Sequence, residues 1–216
     1  AIKHLNPKVK IYGVQAARAA SMAESQKAGG PITLDRADTF ADGIAVKHPG
    51  DLTYQLVQDY VDEIVTVTED EIATAILSLL EKQKVIAEGA GAVSVAAVLF
   101  GKIPVQGKKV VCIVSGGNID VNILSRVITR GLVTSGRNVN LTIALTDKPG
   151  QLMEVADIVS RCGGNVVSVH HDRGEANMAI TSCFLKLGLE TRDQAQIDQI
   201  KGELTQAGFQ LVTERV

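Results

Sequence analysis

Apolar residues recur with two alternating periods along the first part of the chain. Lys10-Ile11-Tyr12-Gly13-Val14 reads as a buried strand, and a short helix over 19–27 follows, stopped by Gly29-Gly30-Pro31. Residues 32–50 carry no period and hold turn signals at Ala41-Asp42-Gly43 and His48-Pro49-Gly50. From Asp51 the spacing of Leu52, Leu56, Val57 and Tyr60 predicts a helix with one apolar face, capped by Asp51. Residues 63–68 alternate as a strand. Thr68-Glu69-Asp70-Glu71 then has the form of a capping box, in which the Thr hydroxyl and the Glu71 carboxylate each accept an otherwise unpaired N–H. The helix it opens is expected to reach Lys84. Beyond Val85-Ile86-Ala87, Glu88-Gly89-Ala90-Gly91 leads an alanine-rich helix to Phe100. Residues 109–114 are expected to form an apolar strand that runs into Ser115-Gly116-Gly117-Asn118, with helix again from Asp120. Strand and helix alternate throughout, which predicts an α/β layered sheet with helices on its faces.

The grammar changes after 132–138, where Thr134-Ser135-Gly136 reads as a linker. A strand over 139–146 turns at Asp147-Lys148-Pro149-Gly150 into a helix whose Leu152, Val155, Ile158 and Val159 face inward. Gly163-Gly164-Asn165 breaks it. Strands over 166–170 and 178–187 are joined around Gly174-Glu175, a helix covers 195–204, and 209–212 is the last strand. This βαββαβ order is the ferredoxin-like α+β arrangement. The expected organisation is therefore an α/β domain over 1–131, a linker over 132–138 and a ferredoxin-like domain over 139–216. Ala1-Ile2-Lys3-His4-Leu5 reads as the tail of a helix stopped by Asn6-Pro7, so a piece is expected upstream.

Composition narrows the partners. Hydrophobic residues make up 45% and charged ones 21%, which is enough for a packed core. Trp is absent and aromatics are only 3%, so stacking platforms for bases or sugars are not expected. A net charge of -2 with no Lys/Arg run argues against nucleic acid and anionic membrane as partners. No apolar stretch approaches the roughly 18–20 residues of a membrane span. Cys112, Cys162 and Cys183 are widely spaced in apolar runs and show no C-x-x-C pattern. They read as small buried thiols of a reducing cytoplasm, and no metal is expected.

Ser115-Gly116-Gly117-Asn118-Ile119-Asp120 resembles the S-G-G-N-[IV]-D segment of fold type II pyridoxal-phosphate (PLP) enzymes, the threonine/serine dehydratases and their relative serine racemase. Four further stretches agree in order: Gly13-Val14-Gln15, Ala41-Asp42-Gly43, residues 65–72 (Val65-Thr66-Val67-Thr68-Glu69-Asp70-Glu71-Ile72), and Glu88-Gly89-Ala90-Gly91-Ala92. The second half resembles ACT regulatory domains through Asp147-Lys148-Pro149-Gly150-Gln151-Leu152 and Gly164-Asn165-Val166. The resemblance implies PLP as cofactor and β-elimination of L-threonine to 2-oxobutanoate and ammonia, with L-serine to pyruvate beside it. It further implies a place in isoleucine biosynthesis, an amino-acid effector bound by the ACT part, and a homo-oligomer, dimer or tetramer, in the cytoplasm. The family anchors PLP on a lysine in an S-x-K-x-R-G context and cradles its phosphate in a glycine-rich loop. No lysine here has that context, so the chain is expected to be a C-terminal fragment, inactive alone.

The resemblance places Ser115 at the pyridine nitrogen, with Gly43 and Gly116 letting backbone approach the ring. A hydroxyl does not hold that nitrogen protonated, so the ring is a weaker electron sink, suited to prompt elimination. The plainer reading is a Ser that ends a strand in a Gly turn, and for Gly43 an ordinary turn glycine. Glu88 is the candidate catalytic residue, a carboxylate near the ring able to handle protons; its plainer reading is a helix N-cap. Gln15, Ala19 and Ser21 stand where serine racemase has divalent-metal ligands, and an amide lacks the charge a hard cation needs. Asp147, Pro149, Gly150, Leu152, Asn165 and Val166 match the ACT effector pocket, where helix N-terminal N–H groups can take a carboxylate and Asn165 the polar end. The plainer reading is a strand-to-helix turn. His170 and His171 point to opposite faces of a strand and cannot readily share a metal. Two other classes compete: a non-catalytic amino-acid-binding module, and a nucleotide-binding α/β domain, the latter weakened by the lack of a G-x-G-x-x-G after a strand.

Overall fold

A computed structural model of the chain describes residues 1–173 and 181–212. The chain divides into two compact units, Ala1–Ile128 and Thr129–Val216.

In the first unit a one-turn helix α1 (Ile2–Leu5) precedes strand β1 (Tyr12–Ala16) and helix α2 (Ser21–Ala28). Helix α3 (Asp51–Tyr60), strand β2 (Glu63–Val67) and helices α4 (Glu69–Ser78), α5 (Gly89–Leu99) and α6 (Val121–Thr134) follow. β1 and β2 pair in parallel, Val14 opposite Val65, with α2 and α3 in the crossover. The capping box forms as expected: Thr68 N–H donates to Glu71 Oε2 at 2.7 Å and Glu71 N–H to Thr68 Oγ1 at 3.3 Å. α4 continues into a π-turn over Leu79–Gln83. The core is built mainly from Ala16, Ala19, Ala41, Val67, Ile72, Ala75, Ile76, Ala92, Ala96, Ala97 and Val127, alanines outnumbering larger residues where α5 packs on α4, β1 and β2.

Three local expectations are corrected. Asp51 is the first residue of α3 and the cap position is Gly50, with no side-chain capping bond. Leu52, Leu56 and Tyr60, on the expected apolar face of this helix, are exposed. Residues 109–114 form no strand. Val111 and Ile113 are 88% and 71% exposed, and Ser94 of α5 ties the segment to that helix: its Oγ donates to the Ile113 carbonyl at 2.8 Å and its carbonyl accepts from Cys112 Sγ at 3.7 Å. A strand exists only where a neighbouring ladder takes its backbone groups, and none does here among the described residues. Val85 and Ile86 are exposed for the same reason.

The second unit matches the ferredoxin-like expectation closely. Strand β3 (Asn138–Thr146), helix α7 (Gln151–Arg161), strands β4 (Asn165–Asp172) and β5 (Ser182–Glu190), helix α8 (Gln194–Gln206) and strand β6 (Gln210–Val212) make an antiparallel sheet of order β4-β5-β3-β6. Residues 174–180, which include the expected Gly174-Glu175 turn, lie outside the described residues. Alternation puts Leu141, Ile143, Leu145, Cys183, Leu185, Leu187 and Leu189 on one face, against Val155, Ile158 and Val159 of α7 and Ile200 and Leu204 of α8. Of the expected linker, residues 132–134 are helical and Asn138 opens β3. Among the described residues no helix is long and apolar enough to cross a membrane.

Leu185 is fully buried at the centre of β5, whereas Val169 on β4 is 49% exposed. Leu185→Ala is expected to cost about 2–5 kcal/mol in urea unfolding, and Val169→Ala under about 0.5 kcal/mol. Equal losses would contradict this division of the sheet.

Candidate functional site

In the first unit the start of α5 is gripped from two sides. A Cβ on Gly89 would lie 2.8 Å from Ala41 Cα, and one on Gly43 would lie 3.1 Å from the Ala90 methyl. On the other side a Cβ on Gly91 would fall 1.8 Å from the Ser115 carbonyl oxygen. The Gly89-Ala90-Gly91 run therefore has no side-chain volume because two backbone segments, 40–43 and 115–117, lie against it. Gly116 has φ +76°, and a Cβ there would strike the Glu88 carboxylate at 2.3 Å.

Glu88 stands at the cap position of α5 but makes no side-chain capping bond. Its Oε2 instead accepts from Asn118 N–H at 3.1 Å, and its own N–H donates to the Gly116 carbonyl at 3.3 Å. The N-cap reading of Glu88 is thus replaced: the half-buried side chain secures the Gly116–Asn118 turn, and Oε1 takes no bond from the described residues. Ser115 is exposed, and its hydroxyl has no partner among the described residues. Ser115, Gly116, Glu88 and Gly43 are thereby brought to one place, around the N-terminus of α5.

Glu69 is a residue that sequence reasoning used only as part of a helix cap. Its Oε2 accepts from Phe40 N–H at 3.0 Å, which fixes the segment leading to Gly43, and its Oε1 is buried without a partner among the described residues. Nothing in the sequence separates Glu69 from its acidic neighbours Asp70 and Glu71. Gln15 accepts from Ala23 N–H at 2.9 Å, so its amide ties β1 to the first turn of α2.

In the second unit the Asp147–Gly150 turn opens on a cavity of about 480 Å³ lined by Leu145, Asp147, Gly150, Leu152, His171 and Cys183 among others. Gly150 caps α7 with φ +94°. Leu152 is exposed at the rim instead of facing inward. Asn165 and Val166 are elsewhere. Asn165 pairs with Glu190 and donates to its Oε2 at 2.9 Å, whereas the turn at Asp147 leaves the sheet beside Ser182. Eight residues of β5 separate those ends, roughly 26 Å at about 3.3 Å per residue. One chain does not bring the expected effector residues together.

The same register assembles a group that local spacing could not show. His171 Nε2 lies 2.9 Å from Cys183 Sγ, and both face Asp147, whose Oδ1 takes Arg173 at 3.0 Å. Burial pushes the Cys183 thiol up; Asp147 adds to the rise and Arg173 opposes it. His170 lies opposite Lys186 and His171 opposite Leu185, on the two faces that alternation requires.

A glycine-walled notch with a free hydroxyl and a tethered carboxylate suits a flat, polar ligand held against backbone. The model of the family described as pyridoxal-phosphate dependent enzyme matches residues 1–116. The chain belongs to that family. It is 50% identical over 211 residues to an L-threonine ammonia-lyase of Thermotoga maritima, covering 98% of this chain and 52% of the relative. It is 41% identical over 209 residues to an L-threonine ammonia-lyase of Geobacter sulfurreducens, covering 97% and 52%. The chain thus spans about half the length of these curated relatives. Among solved structures, the processed form of threonine deaminase isoform 2 from Solanum lycopersicum superposes with a TM-score of 0.54 at 36% identity, over 59% of this chain and 38% of that one. Maize serine racemase superposes with a TM-score of 0.53 at 34% identity, over 61% and 41%.

Gly91→Ala should dislodge the Ser115 segment, because the new methyl and the Ser115 carbonyl cannot share one place. Hydrogen exchange at the Asn118 amide, now bonded to Glu88, is the measurement. Faster exchange at Asn118 with the β1–β2 ladder unchanged is expected; an unaltered Asn118 rate would contradict the packing described.

Proposed function

We propose that the chain is part of a PLP-dependent L-threonine ammonia-lyase, converting L-threonine to 2-oxobutanoate and ammonia and also acting on L-serine. The observation that carries this reading is the Ser115–Asn118 turn, held by Glu88 against α5 with the Ser115 hydroxyl exposed. The donor set fits the cofactor's pyridine edge: a neutral hydroxyl, two glycines without side chains, and one carboxylate oxygen left open. PLP, when bound, supplies the electron sink for chemistry at the substrate's α-carbon. Ser115 Oγ would hold the ring nitrogen through a neutral hydrogen bond, without protonating it. Gly43 and Gly116 leave room for the ring edge. Glu88 Oε1 would be free to hold or pass a proton beside it, while Oε2 accepts from Asn118 N–H. The names of the relatives do not favour a non-catalytic amino-acid-binding module.

The second unit reads as an ACT regulatory domain that works as a pair. β4 is an edge strand, bulged between Val166 and Ser168, with Val167 and Val169 exposed. Its outer N–H and C=O groups invite a further strand. Antiparallel pairing of β4 with its copy would carry Asn165 of one chain to the Asp172 end of the other, beside Asp147 and Gly150. That supplies what a single chain lacks. The first candidates for the effector are amino acids whose carboxylate meets the start of α7, isoleucine or valine and then threonine or serine; a nucleotide such as AMP is third. The effector regulates through differential affinity for two arrangements of the pair.

Ser115→Ala in the full-length gene product should lower kcat for threonine while costing no more than about 0.5–1.5 kcal/mol of stability. Unchanged kcat in a folded variant would refute the role. Val169→Lys should shift sedimentation toward the smaller species and abolish effector heat in calorimetry, as should Asn165→Ala without a change in mass. A wild-type protein that is monomeric and silent toward every candidate would remove the regulatory reading.

A further inference from the structure

Asp147, His171 and Cys183 are far apart in sequence and belong to three segments: the turn after β3, the end of β4 and the start of β5. The sheet brings them together. Leu145 lies opposite Cys183 and His171 opposite Leu185, so the imidazole and the thiol share the face that α7 covers, and Asp147 follows two residues after Leu145. One ligand atom from each lies within 4.8 Å of the others. All three form part of the wall of the cavity beside Gly150.

We propose that these three side chains form a site for a divalent transition-metal ion, with Zn²⁺ as the ion it suits best. The reasoning is chemical. A thiolate and an imidazole select a borderline-soft ion over Mg²⁺ or Ca²⁺. Zn²⁺ at about 2.3 Å from sulfur and about 2.0–2.1 Å from nitrogen and oxygen sets its ligand atoms about 3.3–3.6 Å apart in a tetrahedron. The His171–Cys183 separation of 2.9 Å needs only a small opening to meet that, and the Asp147 carboxylate lies within 4.8 Å of both. Binding expels the Cys183 thiol proton to solvent, and a thiolate plus a carboxylate then balance the two positive charges. Arg173 occupies one Asp147 oxygen and leaves the other for the ion. Three protein ligands leave a fourth position, which opens into the cavity and takes water or a carboxylate. From the sequence no metal is expected, because no C-x-x-C spacing occurs, Gln15 stands in place of a carboxylate, and His170 and His171 cannot share an ion. The structure uses His171 alone, with donors that only strand register supplies.

The metal site shares Asp147 and the cavity with the proposed effector pocket but does not depend on it, and its test uses the metal alone. The full chain is stripped with chelator and titrated with Zn²⁺ by calorimetry and with Co²⁺ by optical spectroscopy. One equivalent per chain is expected, with a thiolate-to-cobalt charge-transfer band and the ligand-field bands of a four-coordinate ion. Cys183→Ser should abolish the charge-transfer band. His171→Asn, at an exposed position that does not threaten the fold, should weaken binding by more than the roughly 10–100-fold that a second-shell change costs. Asp147→Asn should weaken it while keeping the thiolate band. His170→Gln and Cys112→Ser should bind as the wild type does. Failure to take up a saturating equivalent overturns the proposal. So does wild-type affinity in either the His171 or the Asp147 variant, or loss of binding in the His170 control.

Discussion

The first unit is organised around a contact with no slack. The Ser115 carbonyl sits where a methyl on residue 91 would have to be, and the Ala41 backbone sits where one on residue 89 would be. Helix α5 therefore begins as Gly-Ala-Gly-Ala, against helix propensity, since each glycine costs up to about 1 kcal/mol relative to alanine. Sheet and helix packing offset that cost, and close backbone approach is the return. Glu88 closes the arrangement: one oxygen receives Asn118 N–H, and its own amide reaches the Gly116 carbonyl. Ser115 is left at one end of a restrained turn, its hydroxyl without a partner among the described residues.

Much of this was legible in the sequence, for identifiable reasons. The capping box at Thr68 is local, and two residues three apart settle it. The βαββαβ order of the second unit follows from a clean switch between periods of two and of about 3.6, and the structure departs from it mainly at element ends. The failures are non-local. Residues 109–114 have strand composition, yet a strand is made by its neighbour's hydrogen bonds, and Val111 stands open. α3 has one apolar stripe, but the stripe names a face without naming what covers it. Glu88 reads in sequence as a ring-side carboxylate or a helix N-cap, and its bond to Asn118 N–H, thirty residues on, has no local signal.

Strand register explains why chemistry in the second unit escapes a linear reading. A one-residue slip would turn Cys183 and His171 to the opposite face and part them from the Asp147 turn. The register is fixed by burial: Leu185, Leu187 and Leu189 must face α7 and α8, and Cys183 is carried with them by alternation. Cys183 thus looks like a small core residue in sequence and is one by burial, 1% exposed, while its sulfur still reaches a cavity wall.

The two units solve the same problem in different ways. Each ends a strand-like segment in a glycine-bearing turn that leads toward a helix, Ser115–Asn118 before α6 and Asp147–Gly150 before α7. In the first, Asp120 Oδ1 accepts from Asn122 N–H at 2.8 Å and Ile123 N–H at 3.4 Å, so the helix start has a side-chain acceptor of its own and the Ser115 hydroxyl lies outside it. In the second, Gly150 is the cap residue and has no side chain to offer, so the first N–H groups of α7 receive no side-chain cap from it. A turn that satisfies its own helix is suited to hold a fixed wall for a cofactor. A turn that leaves those donors to others is suited to a ligand that comes and goes, because binding there replaces solvent instead of displacing a structural bond.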